Sequence, residues 1–181
     1  MQFLETPIAG VLLVEPRLIG DGRGFFARLS CERELGERGL TGRFVQWNNS
    51  FSAVAGTIRG LHYQMAPHQE AKLVRCIRGS IFDVVVDVRP SSPTFGAWFG
   101  AVLTAANRHQ LFAAEGLAHG YQTLEPDSEV IYGASAFYHP EAERGVRWND
   151  QAIGIAWPFE GEPAVSDKDR RWPDLTVEQP A

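Results

Sequence analysis

Apolar positions along the chain recur in short runs or strict alternation rather than at helical spacing. Residues 10–16, Gly-Val-Leu-Leu-Val-Glu-Pro, set the pattern, an apolar run closed by turn residues, which predicts a strand. Residues 72–77 and 81–88 repeat it, and Arg78-Gly79-Ser80 between them predicts two strands joined by a tight glycine-containing turn. Residues 96–103, 110–113, 120–124 and 129–136 follow at similar intervals. Many short strands at regular spacing predict an all-β sandwich or barrel. Helical signals are few. Ser30 offers a cap for a segment through Glu32 and Leu35, ended by Gly36 or Gly39, while Arg33 at the third helical position excludes a capping box.

The length of 181 residues fits one domain, 1–181, with a polar tail from about residue 175. A hydrophobic share of 44% and a charged share of 22% are those of an ordinary globular chain and exclude a disordered or disulfide-stapled one. The net charge of -5 argues against nucleic acid as a partner, since such binding needs a concentrated cationic face. An anionic ligand would need locally placed arginines. Cys31 lies in a charged stretch and Cys76 in an apolar strand pattern, so both read as reduced thiols. Residues 1–13 lack a basic start, a long apolar run and a small-residue cleavage site, and no apolar stretch approaches the roughly 20 residues that cross a bilayer. No membrane partner and a cytoplasmic location are therefore expected.

The most unusual hexamer is Arg59-Gly60-Leu61-His62-Tyr63-Gln64, a cation, a flexible link and an imidazole at one strand entry. Strand alternation places Arg59, Leu61 and Tyr63 on one face and His62 and Gln64 on the other, unless the glycine bends the strand. The bland alternative is a turn with a hydrogen-bonded histidine. His119, in Ala118-His119-Gly120, is a second candidate. Two histidines on neighbouring strands raise a metal reading, but Gln64 stands where a His-x-His pair would put its second ligand, and no convincing third ligand is evident. His68, His109 and His139 lie in polar, turn-like contexts that suit solvated side chains. Lys72 opens an apolar strand, where lysine either serves a pocket or snorkels out. Residues 166–170, Ser-Asp-Lys-Asp-Arg, read alone as a charged loop.

Taken together, several stretches resemble the dTDP-4-dehydrorhamnose 3,5-epimerase family across residues 21–173. They are Asp21-Gly22-Arg23-Gly24-Phe25-Phe26, Gln46-Trp47-Asn48-Asn49-Ser50, the Arg59–Gln64 hexamer, Lys72-Leu73-Val74, residues 83–89, Gly116-Leu117-Ala118-His119-Gly120, residues 140–145, Trp157-Pro158 and Ser166-Asp167-Lys168-Asp169. Each is weak alone; their order and spacing are specific. The resemblance implies a cupin-type jelly roll with one or a few short peripheral helices. It implies a homodimer that inverts C3 and C5 of a nucleotide-linked 4-keto-6-deoxy sugar, with no metal or other cofactor. It makes His62 the general base, paired with Asp169, places Lys72 beside the sugar carbonyl and makes Tyr132 the opposite-face acid. Arg23, Phe26, Gln46, Asn48, Arg59, His119, Tyr138, Glu143 and Lys168 become substrate contacts, with Arg23 and Arg59 suited to a diphosphate by their fork geometry. In the bland alternative Glu143 forms a surface pair with Arg144, and Lys168 is solvated.

The physical demand of such a reaction agrees with that set. A C–H beside a carbonyl is a poor acid, so a base must be held against it and the developing enolate oxygen must be stabilised. A carboxylate on the far nitrogen of an imidazole fixes its tautomer and favours its protonated form. Four positions depart from the family pattern: Arg28 where Glu is usual, Gly133 where Lys is common after the acid tyrosine, and Ala113-Ala114 where an apolar residue and proline are usual. They leave open base recognition, the surroundings of Tyr132, a C3-only or C5-only epimerase, a dTDP-, CDP- or GDP-linked sugar, and a cupin that only binds its ligand.

Overall fold

The computed structural model describes residues 1–176. In chain order its strands are β1 (Gln2–Glu5), β2 (Val11–Glu15), β3 (Leu18–Asp21), β4 (Gly24–Ala27), β5 (Gln46–Ser52), β6 (Thr57–Gln64), β7 (Lys72–Arg78), β8 (Ser80–Asp87), β9 (Trp98–Thr104), β10 (Gln110–Ala113), β11 (Leu117–Thr123), β12 (Ser128–Ala134), β13 (Glu143–Gly145) and β14 (Ala164–Val165). Two short helices, α1 (Glu32–Gly36) and α2 (Asp167–Arg170), lie outside them.

Two sheets carry the structure. One runs β1-β2-β10-β7-β12-β5; the other runs β13-β6-β11-β8-β9, with β14 added in parallel to β6. Alternation along each strand turns one apolar row inward, and Val74, Cys76, Leu111 and Val130 of the first sheet meet Ile81, Val85, Leu103 and Tyr121 of the second in one core. This is the jelly roll of cupin type. No helix among the described residues is long and apolar enough to cross a membrane.

The turn expected at 78–80 forms, but β7 and β8 do not pair. They belong to different sheets, and Gly79, at φ 73°, makes the corner between them. A side chain there would collide with Ser128, whose Cα lies 3.1 Å from the position a Cβ would take. Periodicity reveals that both segments are strands, whereas pairing depends on where the chain finds a partner for its apolar face.

Helix α1 starts one residue later than expected, with Cys31 as an N-cap that makes no side-chain hydrogen bond, and Gly39 closes the following turn at φ 71°. The segment 166–170, which alone reads as a charged loop, is a helical turn. Ser166 caps it by accepting from the Asp169 amide at 3.1 Å, and Asp169 is thereby turned inward to 5% exposure. Of the polar tail from about 175, Leu175 is tied down, its amide donating to Asp150 at 2.6 Å. The tail beyond 176 lies outside the described residues.

The hairpin β3–β4 stands apart, since both its strands pair only with each other. It presents Ile19, Phe25 and Phe26 to solvent, and the Arg108 guanidinium covers the Phe25 ring at 4.6 Å.

Candidate active site

The local event that builds the site is a bulge in β6. His119 of β11 lies opposite His62, and Tyr121 lies opposite Arg59, so two steps along β11 match three along β6. The extra residue reverses the alternation, and Arg59 and His62, expected on opposite faces of a regular strand, point the same way. Gly60 permits it at φ 124°. A Cβ on Gly60 would lie 2.6 Å from the Gly120 Cα, so two glycines face each other where the strands come closest.

The result is a cavity of about 530 Å³ between the sheets. The second sheet contributes Arg59, His62, His119 and Tyr121, the first contributes Lys72, Tyr132 and Ser50, and the α2 segment contributes Lys168 and Asp169. A smaller space of about 270 Å³ adjoins it, sharing His62, Lys72 and Tyr132 and adding Gln46, Asn48, Tyr138 and Glu143. All four expected catalytic residues therefore border one cleft, as do seven of the nine expected contacts. Arg23 and Phe26 border neither space. They sit on the exposed β3–β4 hairpin, where Arg23 pairs with Asp21 at 2.6 Å.

Two histidines in the cleft are paired with carboxylates. His62 Nε2 lies 2.6 Å from Asp169 Oδ1, and the other oxygen of Asp169 accepts from the Gly60 amide at 3.3 Å. Burial alone would raise the Asp169 pKa; the hydrogen bond and charge of His62, with the Gly60 amide and Ser166, outweigh it and hold the carboxyl below its ordinary range. With Nε2–H donating to Asp169, the lone pair of His62 rests on Nδ1. His119 Nε2 lies 2.8 Å from Asp83 Oδ1. Asp83 is wholly buried, its Oδ2 has no hydrogen-bond partner, and burial pushes its pKa up against the pull of His119 and Lys72.

Lys72 is buried and does not snorkel; its ammonium donates to Glu70 at 3.0 Å and to the His62 carbonyl at 3.3 Å. Tyr132 projects from β12 on the opposite sheet, and burial pushes its phenol above its ordinary 10.0, which keeps it a proton donor near neutral pH. Tyr121 is raised in the same way and donates to Ser50 Oγ at 2.9 Å.

At the rim, Glu143 pairs with Lys168 at 2.6 Å, not with Arg144, and also accepts from the Tyr138 hydroxyl at 2.8 Å. Arg144 turns instead to the carbonyls of Glu141 and Glu143. Arg59 is anchored by Ser52 Oγ and the Phe51 carbonyl. Gln46 donates to Asn48 and accepts from the Tyr138 amide.

Glu70, Asp83 and Tyr121 were not singled out by the sequence. The one available signal was polarity inside apolar strands, as with Asp83 in Ile-Phe-Asp-Val-Val, where burial demands a partner. The departures fall away from the chemistry. Gly133 faces the outer side of its sheet, where a Cβ would meet the Phe44 ring at 2.8 Å. Arg28 pairs with Glu34 at 2.9 Å. Ala114 fits closely against Gly10, to whose carbonyl its amide donates at 2.9 Å.

Comparison with known proteins gives a consistent result. A family model described as dTDP-4-dehydrorhamnose 3,5-epimerase matches residues 5–177. A protein of that name from Shigella flexneri is 46% identical over 170 residues, covering 93% of each chain. The crystal structure of a protein of that name from Bacillus anthracis, with TDP and PPi bound, superposes with a TM-score of 0.91 at 45% identity, covering 96% of this chain and 99% of that one. The dTDP-6-deoxy-D-glucose-3,5-epimerase of Legionella pneumophila, in complex with dTDP-4-keto-L-rhamnose, superposes with a TM-score of 0.90 at 38% identity over 96% of this chain and 92% of that one.

Proposed function

This chain belongs to the dTDP-4-dehydrorhamnose 3,5-epimerase family, and we propose that it is an isomerase converting dTDP-4-dehydro-6-deoxyglucose into dTDP-4-dehydrorhamnose by inverting C3 and C5. The observation that carries this reading is the His62–Asp169 pair at 2.6 Å, held by β6 and α2, facing Lys72 and Tyr132 of the other sheet across the same cleft.

The bonds balance within those groups. His62 Nδ1 removes the proton from the carbon beside the C4 ketone, and the C–H electron pair moves into the enolate. Asp169 stabilises the imidazolium that forms. The Lys72 ammonium takes the part of an oxyanion donor at the developing charge, an effect on the order of 100- to 1000-fold. Tyr132 then delivers a proton to the same carbon from the opposite sheet, which inverts the centre; its phenolate recovers a proton from solvent, and the His62 imidazolium returns to solvent the proton it took. Metal ligation is not needed for any of these transfers. Arg59 and Lys168 supply cations for the diphosphate and sugar, and Gln46, Asn48, His119, Tyr138 and Glu143 supply polar contacts.

Arg23 and Phe26 belong to this scheme only if they reach a neighbouring protomer's cleft, because they line neither space of their own chain's cleft. That requirement supports a homodimer, as do the solvent-facing Trp47, Phe51 and Ile77 on the outer side of the first sheet. The free thiols of Cys31 and Cys76 suit the reducing cytoplasm.

The reading is tested by NMR of dTDP-4-keto-6-deoxyglucose incubated with EDTA-treated protein in deuterated water. Deuterium at both C3 and C5 with the inverted product is expected. Exchange at one centre would make this a mono-epimerase. No exchange would leave a protein that binds its ligand without catalysis.

A further inference from the structure

His68 and His139, expected to be solvated, are instead stacked. Their rings lie 3.6 Å apart at an interplanar angle of 26°, and His139 Nδ1 lies 3.0 Å from Glu141 Oε1. The three side chains bring one donor atom each within 4.8 Å of the others. Two imidazoles and a carboxylate form a donor set for a borderline divalent ion such as Zn²⁺, Ni²⁺ or Cu²⁺ rather than for Mg²⁺ or Ca²⁺.

The backbone beneath the cluster is fixed. Gln64 is buried, and its carboxamide donates to the His68 carbonyl at 2.9 Å and accepts from the His139 amide at 2.6 Å, clamping the two loops that bear the histidines. The three donor atoms lie within 4.8 Å of one another, the His139–Glu141 pair already at 3.0 Å, so the half-exposed rings and the exposed Glu141 close on an ion by side-chain rotation, while the backbone at His68 and His139 stays held. The cleft on this side, about 650 Å³ bordered by Tyr63, Arg144 and Trp172, leaves room for water to complete the coordination. His68 and Glu141 border this cleft and not the catalytic one.

We infer that His68, His139 and Glu141 form a three-ligand site for a divalent transition metal, separate from the catalytic cleft. Metal found in purified protein would then belong at this site and would say nothing about proton transfer.

The test is a competition titration of untagged, EDTA-stripped protein with Zn²⁺ against a chromophoric chelator, followed for wild type, His139→Ala, Glu141→Gln and His62→Asn. One ion per chain is expected, with affinity reduced by about tenfold or more in His139→Ala and Glu141→Gln and unchanged in His62→Asn. Glu141 is exposed, so its variant keeps the test decisive if His139→Ala fails to fold. Absence of uptake by wild type overturns the proposal. So does uptake unchanged in Glu141→Gln, or uptake lost in His62→Asn, which would move the ion to the catalytic cleft.

Discussion

Two histidine–carboxylate pairs face one cleft, at 2.6 Å for His62–Asp169 and 2.8 Å for His119–Asp83, yet their surroundings give them opposite character. Asp169 has both oxygens engaged and is held ionised, while Asp83 is fully buried with one oxygen unpartnered and is pushed towards its neutral form. The side chain of His62 is 30% exposed to the cleft and that of His119 only 9%. Contact distance alone therefore does not identify a base. What favours His62 as the proposed base is a carboxylate whose charge is already satisfied and an imidazole open to the cleft.

The largest expected effect separates the two carboxylates. Asp169→Asn should lower kcat on the order of 10³- to 10⁴-fold, the scale of neutralising a carboxylate that orients a histidine base. Asp83→Asn should cost far less. Equal losses in steady-state assays would erase the distinction. Next comes Lys72, whose charge bears on Asp83. Lys72→Met should lower kcat by about 100- to 1000-fold, with a melting curve to confirm the fold. A smaller effect is expected from the hairpin. Arg23→Ala should raise KM by about 10- to 100-fold, the worth of a charge-assisted hydrogen bond, with kcat nearly unchanged. An unchanged KM would remove Arg23 from the site.

The smallest effect concerns stability, and here the pairs should diverge with pH. The Asp169 pKa is depressed by folding, so its stabilising contribution is complete above the ordinary 3.8 and is lost as pH falls below it. The Asp83 pKa is raised, so its ionisation costs stability as pH climbs above 3.8, and that cost vanishes in acid. Thermal unfolding below pH 4 should bring wild type closer to Asp169→Asn in stability. Acidification should also favour wild type relative to Asp83→Asn. Parallel curves for the two variants would refute the divergence.

Much of this was legible in the sequence, and the remainder has identifiable causes. The strands followed from short apolar segments between turn residues, and 110–113 matched β10 at both ends. The meeting of Arg59 with His62 was not legible from alternation, because it needs one extra residue at Gly60 relative to β11. Asp169 lies 107 residues from its partner, and its inward turn depends on the Ser166 cap. Local charge pattern shows nothing of either; only the motif resemblance pointed there. The His68–His139 stack was missed because polar, turn-like sequence looks the same whether its side chains meet or not.

The most direct test of the central assignment is solvent-deuterium exchange into dTDP-4-keto-6-deoxyglucose by His62→Asn and His119→Asn, measured by NMR beside wild type. His62→Asn should lose exchange at C3 and C5 by about 100- to 10000-fold, while His119→Asn keeps most of it. Wild-type exchange in His62→Asn, or its loss in His119→Asn alone, would show that the base is not His62.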